Sequence, residues 1–238
     1  MKAIIRKKEE VAEKTDYVEF DTGQDVSFRP GQYFYVTLNP KDELHKEDLT
    51  HHISIVNSPS QKNTLSLTTR MRVERSLFKR TLAEARIGDE VEIGKIEGSF
   101  VLPQDTDKPI VLIALGIGIT PYISMLRYCD ETKKPYKFTL FYSDGEIKNM
   151  PFIDELKSME EKHKPNFKLV MIVTQDEDWD GEKRHVNSKL LKEYLGDDFE
   201  NSLYFVSGPP RPVEVVGDSI KKEGVAEENI KMDDFSGY

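Results

Sequence analysis

The chain has 238 residues, 37% of them hydrophobic, so it is long enough for one or two domains with sizeable cores. Its formal net charge of −9 argues against non-specific binding to nucleic acid or to an anionic membrane. No run approaches the roughly 20 apolar residues that span a bilayer, and Met1-Lys2-Ala3 opens no signal peptide, so a cytoplasmic protein is expected. Cys129 is the only cysteine, which excludes intramolecular disulfides, cysteine-ligated iron–sulfur clusters and multi-cysteine zinc sites; no metal site is predicted.

The first hundred residues predict a domain of antiparallel strands, because short apolar and β-branched runs alternate with turn residues. The predicted strands are 3–10, 15–21, 33–38, 51–59, 64–72 and 90–96. Apolar residues at helical spacing indicate one helix over 74–85. Several short strands with one helix are typical of a small closed β-barrel, which we assign to residues 1–102.

Residues 103–238 show a different pattern, in which strands and helices alternate after the polar stretch 103–108. The predicted strands are 110–115, 137–143, 167–174, 202–206 and 230–235, and the predicted helices are 121–131, 151–162, 187–195 and 211–222. Such alternation indicates an α/β domain with a doubly wound parallel sheet.

The sequence VLIALGIGITP at 111–121 joins a buried strand to a helix through glycines. Thr120 is a favoured helix N-cap and Pro121 a favoured first helical residue. Pro121 also occupies the third position of an otherwise matching GxGxxG pattern. A strand, a glycine turn and a capped helix would place backbone N–H groups beside open space, which suits a phosphate or the edge of a flat cofactor.

Five short motifs carry a family resemblance: RPGQY at 29–33, HISIVNSP at 52–59, GIGITP at 116–121, SGPP at 207–210 and DDFSGY at 233–238. In this order they closely resemble the ferredoxin–NADP reductase superfamily, most of all its small bacterial and archaeal members without an iron–sulfur domain. The resemblance implies a flavin-binding β-barrel, an NAD(P)-binding α/β domain, and hydride transfer from nicotinamide to FAD where the two cofactors meet. FAD is preferred over FMN on family grounds.

The flavin side departs from the family at two positions. The family motif reads Arg-x-Tyr-Ser; Ser54 matches and is assigned a catalytic place near flavin N5, whereas His51 replaces the arginine and Ile53 the aromatic residue. The backbone groups of Ile53, Ser54 and Ile55 are expected to hydrogen-bond the flavin ring. The residues assigned to flavin binding are His51, His52, Ile53, Ser54, Ile55, Thr69, Arg70, Arg72 and Ser76.

The segment TRMRVERSLFKR at 69–80 resembles the family segment that holds the flavin pyrophosphate. Ser76, the helix start and Arg70 are expected to contact it. We hypothesise that His51 and an arginine of this segment together replace the usual arginine, so flavin affinity would fall as the pH rises through about 6.5. Three further cations are expected only to solvate a helix face: Arg75, Lys79 and Arg80.

The nicotinamide side is assigned to the two glycine-containing motifs of the second domain. Ser207, which stands where many relatives have cysteine, is assigned a catalytic place beside the hydride-transfer centre. The residues assigned to nucleotide binding are Gly116, Gly118, Ile119, Thr120, Pro121, Ser143, Asp144, Gly208 and Pro209. Asp144 would repel a 2′-phosphate and accept a ribose hydroxyl hydrogen bond, so NADH is preferred to NADPH.

The C-terminal residues and the electron acceptor each leave more than one alternative. Tyr238 could cover the flavin or nicotinamide pocket as a catalytic-site residue or could belong to a frayed tail, and Phe235 is expected to pack beside the cofactor. The acceptor could be ferredoxin or flavodoxin, free flavin or a partner oxygenase. Alternatives are a ferric-chelate reductase and a non-catalytic docking or regulatory subunit with the reductase fold. Cys129 is predicted to be a core residue.

Overall fold

The structure is a computed structural model that describes residues 1–39, 45, 47–71 and 76–235. The chain forms two compact units. The first contains Met1–Leu102 together with Thr120–Glu131, and the second contains Pro103–Ile119 together with Thr132–Tyr238. No helix in the described part of the chain is long and apolar enough to cross a membrane.

The first unit is built on six antiparallel strands in the order β4-β3-β6-β1-β2-β5. These strands are β1 (Lys2–Ala12), β2 (Thr15–Asp21), β3 (Tyr33–Leu38), β4 (Thr50–Ser54), β5 (Thr64–Arg70) and β6 (Glu90–Glu97). Two helices accompany them: α1 (Leu77–Glu84) and α2 (Thr120–Thr132). Phe20 and Phe34 meet edge to face in the core, with ring centroids 6.0 Å apart.

The sheet is barrel-like, but in the described residues no strand ladder joins its edge strands β4 and β5. The predicted strand 51–59 ends early, at Ser54, because the next residues make other bonds. Ile55 N donates to Gln32 O at 2.9 Å, and Val56 N donates to Ser66 O at 3.0 Å. The expected closed barrel is therefore corrected to a sheet that curls without a closing ladder.

Helix α1 is held at both of its ends. Ser76 is its N-cap, and the Ser76 hydroxyl oxygen accepts from Lys79 N at 3.4 Å. At the other end the Lys8 ammonium donates to Leu82 O at 2.6 Å and to Ala83 O at 2.7 Å. The last turn of α1 contains no basic residue of its own. The Lys8 ammonium therefore supplies the positive charge that complements the helix dipole at this end.

Helix α2 follows strand β7 (Ile110–Leu115) along the chain, yet its contacts place it in the first unit. Its Ser124 hydroxyl donates to Asn57 O at 2.7 Å, and Arg127 Nη1 donates to Val56 O at 3.2 Å. Both acceptors lie in the segment that connects β4 to β5. The helix is thus fixed to the first unit by hydrogen bonds as well as by apolar packing.

The second unit is a five-stranded parallel sheet in the order β11-β10-β7-β8-β9. Its strands are β7 (Ile110–Leu115), β8 (Phe138–Asp144), β9 (Phe167–Val173), β10 (Leu203–Gly208) and β11 (Ile230–Asp234). Its helices are α3 (Ile153–Lys162), α4 (Ser188–Leu195) and α5 (Pro210–Lys222). Every residue of β7 is buried, as the continuous apolar run predicts. The predicted α/β fold class is confirmed.

Candidate functional site

The carboxyl ends of β7 and β10 form the topological switch point of the parallel sheet. From β7 the chain proceeds through β8 to β9 on one side, then returns to β10 and β11 on the other side. In open α/β sheets, ligands bind in the crevice that opens at such a reversal. The two motifs that the sequence singles out, Gly116–Ile119 and the turn after Ser207, both lie here.

Two glycines allow these loops to pack against each other. A Cβ added to Gly118 would lie 2.1 Å from Ser207 O, and one added to Gly208 would lie 2.6 Å from Leu115 O. Both neighbours are backbone atoms, so no rotamer change could relieve the contact. The loops therefore require glycine for close approach of backbone to backbone.

The GIGITP motif differs in one detail from the expected capped helix. Gly116–Ile119 form a 3₁₀ turn that runs directly into α2, which begins at Thr120. Thr120 is therefore the first residue of the helix instead of its N-cap, because the turn before it is already helical. Thr120 and Pro121 are both buried within the first unit.

Ser207 is the residue of this region with the clearest unmet hydrogen-bonding capacity. Its side chain is fully buried, and its hydroxyl has no hydrogen-bond partner within the described residues. In the parallel ladder it lies level with Ala114 on one side and Asp233 on the other. Buried polar atoms are normally satisfied, so an orphaned hydroxyl beside a small alanine is suited to a ligand with a polar group.

Asp233 is a residue that the sequence interpretation did not assign to the site. Burial, followed by the neighbouring charge of Asp234, raises the pKa of the Asp233 carboxyl to about 6. The same side of the ladder therefore carries a hydroxyl and a carboxyl group that exchanges its proton near neutral pH. Asp233 is the first residue of the DDFSGY motif at 233–238, and this position in a family motif could have pointed to it from the sequence.

The raised pKa of Asp233 predicts a stability that falls as the pH rises. Between about pH 4 and pH 6 the folded chain keeps a proton that the unfolded chain releases, so the free energy of unfolding falls across this range and stays at its lower value above pH 6. We expect Asp233→Asn to be more stable than the wild type by about 1–2 kcal/mol at pH 7.5, and by less at pH 5. Thermal unfolding at both pH values measures this difference. The control Asp107→Asn removes an exposed carboxylate, and an equal gain there would contradict the prediction.

Asp144 ends β8 at the same carboxyl edge of the sheet. Its Oδ1 accepts from Gly145 N at 2.7 Å, and its carbonyl accepts from Thr174 N at 3.0 Å. Ser143 precedes it and is level with Leu115 of β7. The structure thus places both predicted residues at the carboxyl edge of the sheet, with one Asp144 oxygen already bonded to its own turn.

The chain after β11 returns to the SGPP turn. Phe235 N donates to Gly208 O at 3.0 Å, which holds the predicted Phe235 beside β10. Pro209 is exposed and precedes α5, which begins at Pro210. Tyr238 lies outside the described residues.

In the first unit, β4 presents its side chains to two faces. His51 and Ile53 are level with Val36 and Phe34 of β3, which are core residues, whereas His52 lies against the ring of Tyr33, with centroids 5.1 Å apart. Ile53 is buried in this core, so its side chain offers no surface on which a flavin could stack. Ser54, level with Tyr33, is also buried. The Ile55 N–H is already bonded to Gln32 O.

His51 is less suited to bind an anion than the sequence suggests. Its ring lies against that of Phe78 in α1, with centroids 4.4 Å apart. Burial, and then the positive charge of Lys79, lower the pKa of His51 below its usual 6.5. The imidazole is therefore mostly neutral at pH 7, which speaks against a protonated His51 as the replacement for arginine.

Strand β5 carries the other predicted flavin residues. Thr69 is buried and Arg70 is half-buried at the end of the strand. The preceding Thr68 is buried, and its hydroxyl has no hydrogen-bond partner in the part of the chain that the structure describes. This orphaned hydroxyl is a second candidate ligand contact, and sequence alone gave no signal for it. Arg72 lies outside the described residues.

The prediction that the basic side chains of α1 lie on a solvent-exposed face is wrong at one position. Arg80 is exposed as expected, but Lys79 is only 4% exposed. The predicted helix start at Glu74, and with it Arg75, lies outside the described residues, and α1 begins at Leu77 after the Ser76 cap. Lys79 is therefore a buried residue of the first turn, and periodicity did not reveal this because Phe78 and Leu82 already define the apolar face.

Comparison with known proteins supports the geometric interpretation. Residues 112–217 match the family model of the oxidoreductase NAD-binding domain. One component of the Na⁺-translocating NADH-quinone reductase of Methylococcus capsulatus is 25% identical over 260 residues, which cover 92% of this chain and 63% of the relative. The chain thus spans less than two thirds of that relative's length.

Solved structures agree with the whole fold. A cytochrome P450 reductase of Amycolatopsis superposes with a TM-score of 0.84 at 19% identity, covering 99% of this chain and 70% of the other. A ferredoxin–NADP⁺ reductase of Neisseria gonorrhoeae, solved with bound FAD and NADP, superposes with a TM-score of 0.82 at 18% identity, covering 98% of each chain. The chain therefore shares its fold with these solved structures, one of which is a ferredoxin–NADP⁺ reductase, and residues 112–217 match the oxidoreductase NAD-binding domain.

Proposed function

We propose that the chain is an NAD(P)H-dependent flavoprotein oxidoreductase that transfers hydride from a nicotinamide nucleotide to bound FAD and passes electrons on to an acceptor. The observation that carries the proposal is the pair of tightly packed loops at the switch point of the parallel sheet. There Gly118 approaches the backbone of Ser207, whose buried hydroxyl is left without a partner in the described residues. This region falls within the match to the NAD-binding domain.

The residues present fit both cofactors. In the second unit Ser207 offers a hydroxyl to a carboxamide-bearing ring, and Asp144 supplies a carboxylate at the same sheet edge. In the first unit Thr68 offers an orphaned hydroxyl on edge strand β5, and Ser76 marks the amino end of α1. Bound FAD would supply the hydride-accepting ring, so no protein nucleophile is required.

The chain's own residues would bind and orient the cofactors. We assign Ser54 a hydrogen bond near the flavin ring and Ser207 a hydrogen bond to the nicotinamide. Of the two alternatives for Tyr238, a cover over one of the rings and a frayed tail, we propose the cover. Burial of both serines excludes water from their hydroxyl groups, which strengthens hydrogen bonds to a bound ring.

NADH is the nucleotide that the site favours. The Asp144 carboxylate would lie close to a ribose at the carboxyl end of β8, where a 2′-phosphate would meet like charge. The matched relative from Methylococcus capsulatus is named for NADH as well.

The acceptor we favour is a partner redox protein or oxygenase. The solved relatives include a cytochrome P450 reductase and a ferredoxin–NADP⁺ reductase, whose names refer to protein acceptors. The net charge of −9 would favour association with a basic surface on such a partner. A non-catalytic docking subunit is the second candidate, because the buried Ile53 and the lowered pKa of His51 depart from the expected flavin contacts.

The absorbance spectrum of the purified full chain, after incubation with FAD and removal of free flavin, tests the proposal. We expect an equimolar bound flavin that NADH bleaches under anaerobic conditions. We also expect kcat/KM with an artificial electron acceptor to be higher for NADH than for NADPH by at least about tenfold, which is the effect of one unfavourable charge contact worth about 1.4 kcal/mol. Colourless protein that takes up no flavin would instead support the docking subunit. A clear advantage of NADPH would refute the nucleotide assignment alone.

A further inference from the structure

Strand β5 has one open edge. It pairs with β2 on one side, and among the described residues no strand ladder forms on its other side. The connection that follows β4 covers the beginning of this edge. Asn57 Nδ2 donates to Thr64 O at 2.9 Å, and Asn57 Oδ1 accepts from Ser66 N at 2.8 Å. Val56 N donates to Ser66 O at 3.0 Å, so the backbone groups on this edge have partners as far as Ser66.

The next residue with backbone groups on the open edge is Thr68. Backbone N–H and C=O groups alternate between the two sides of an antiparallel strand, so those of Thr68 point the same way as those of Ser66. The register of β5 with β2 is continuous over Thr64–Arg70, and Met71 N donates to Lys14 O at 2.7 Å on the side of β2, as this alternation requires. Within the described ranges, no hydrogen bond reaches the N–H or C=O of Thr68 from the open edge.

Thr68 also carries a hydroxyl group without a partner. Its side chain is only 2% exposed, and Oγ1 makes no hydrogen bond in the part of the chain that the structure describes. A donor N–H, an acceptor C=O and a hydroxyl that can act as either thus belong to one buried residue. Because buried polar groups without partners cost stability, their concentration at one residue favours a bound ligand that supplies the partners.

We propose that Thr68 binds the polar edge of the flavin ring. This inference rests on the proposed function, which brings FAD to the first unit. The ring carries carbonyl oxygens and an N–H side by side along one edge, and these groups complement a backbone N–H, a C=O and a hydroxyl. The expected contact through the Ile55 N–H is already taken, because this group donates to Gln32 O at 2.9 Å. Thr68 replaces that contact from β5, the other edge strand of the same sheet.

Thr64 provides a matched control. It is a threonine of the same strand, it lies four residues earlier and therefore on the same face, and it is also 2% exposed. Its Oγ1 accepts from Arg6 Nη2 at 3.5 Å, and we assign it to neither cofactor. Valine has nearly the shape of threonine, so a change of either residue to valine removes the hydroxyl group and keeps the packing.

The experiment titrates FAD and riboflavin into the flavin-free full chain, follows flavin fluorescence, and measures thermal unfolding of the flavin-free chain in parallel. We expect Thr68→Val to raise the Kd for both flavins by about 5- to 10-fold, the loss of one buried hydrogen bond to the ring that they share. The flavin-free Thr68→Val chain should have a Tm higher than the wild type by about 2–4 °C, because a methyl group replaces an unpaired hydroxyl. Thr64→Val should leave both Kd values within about twofold.

The opposite signs of the two expected changes separate a ligand contact from a structural role. Wild-type Kd values for both flavins in Thr68→Val would overturn the proposal, and so would a lower Tm together with weaker binding, which would mean that Thr68 supports the fold. Weaker binding of FAD alone would place the contact outside the ring and contradict the proposal as well. A wild-type chain that binds neither flavin would refute the proposed function itself, which distinguishes that failure from the failure of the Thr68 assignment.

Discussion

Gly118→Ala is expected to lower the free energy of unfolding of the second unit by about 3 kcal/mol or more. The added Cβ would lie 2.1 Å from Ser207 O and 2.4 Å from Ser207 C, which are backbone atoms of a buried strand. Relief would require the β7 and β10 loops to separate. The same shift would displace the Ser207 hydroxyl, so we expect NADH binding to be lost together with stability.

Gly217→Ala is the matched control within the same unit. Gly217 lies in α5, and a Cβ there would meet Met232 Sδ at 2.4 Å, which is the far end of a flexible side chain. Alanine also favours helix over glycine by about 1 kcal/mol, which offsets the rearrangement of methionine. We therefore expect Gly217→Ala to leave stability and NADH affinity nearly unchanged.

Thermal unfolding and NADH titration distinguish the two glycine variants. At about 2–4 °C per kcal/mol, Gly118→Ala should lower Tm by about 6–12 °C or more, whereas Gly217→Ala should shift it by less than about 3 °C. A Gly118→Ala variant with wild-type Tm and NADH affinity would mean that the loops do not pack as closely as the structure indicates.

Asn57→Ala is expected to be the most damaging substitution in the segment between β4 and β5, at about 2–4 kcal/mol. The side chain is fully buried and makes bonds on both sides of its amide. Its Nδ2 donates to Thr64 O at 2.9 Å and to Ser58 O at 3.2 Å, and its Oδ1 accepts from Ser66 N at 2.8 Å and from Ser66 Oγ at 3.2 Å. Alanine would leave these groups buried and unpaired.

The loss would extend to α2, because Asn57 O accepts the Ser124 hydroxyl hydrogen bond. Asn63→Ala serves as the control, since Asn63 has an exposed side chain in the same connection and its backbone oxygen accepts from Thr22 N. Thermal unfolding monitored by circular dichroism should show a Tm lower by about 4–16 °C for Asn57→Ala and a change below about 2 °C for Asn63→Ala. Similar effects of the two substitutions would contradict a special role for the buried amide.

The elements of both units were predictable because their signals are local. The strands over 33–38 and 110–115 have the bounds that their apolar runs predict, and the turn at residues 13–14 separates β1 from β2 as expected. Proline and glycine likewise mark the start of α5 and the turns around it. Hydrophobic periodicity and turn residues depend only on residues close together in the sequence, so the sequence alone indicates where strands, helices and turns lie.

The sequence predicted the parts of the site that depend on local backbone geometry. It was less informative about side chains whose environment is set by other strands. The glycines of GIGITP and SGPP lie at the switch point because strand order and loop sequence agree there. Asp233 and Thr68 were not assigned, since their importance comes from the strands beside them. Thr120 was expected to be a cap, but the preceding 3₁₀ turn made it a helical residue.

The sequence by itself determined the order of strands and helices along the chain, the two glycine turns and the resemblance to the reductase superfamily. Only the tertiary structure decided that α2 packs with the first unit, that Lys79 is buried beside His51, and that Asp233 lies level with Ser207. The physical reason is that local conformation follows from adjacent residues, whereas burial and pKa depend on which distant segments meet.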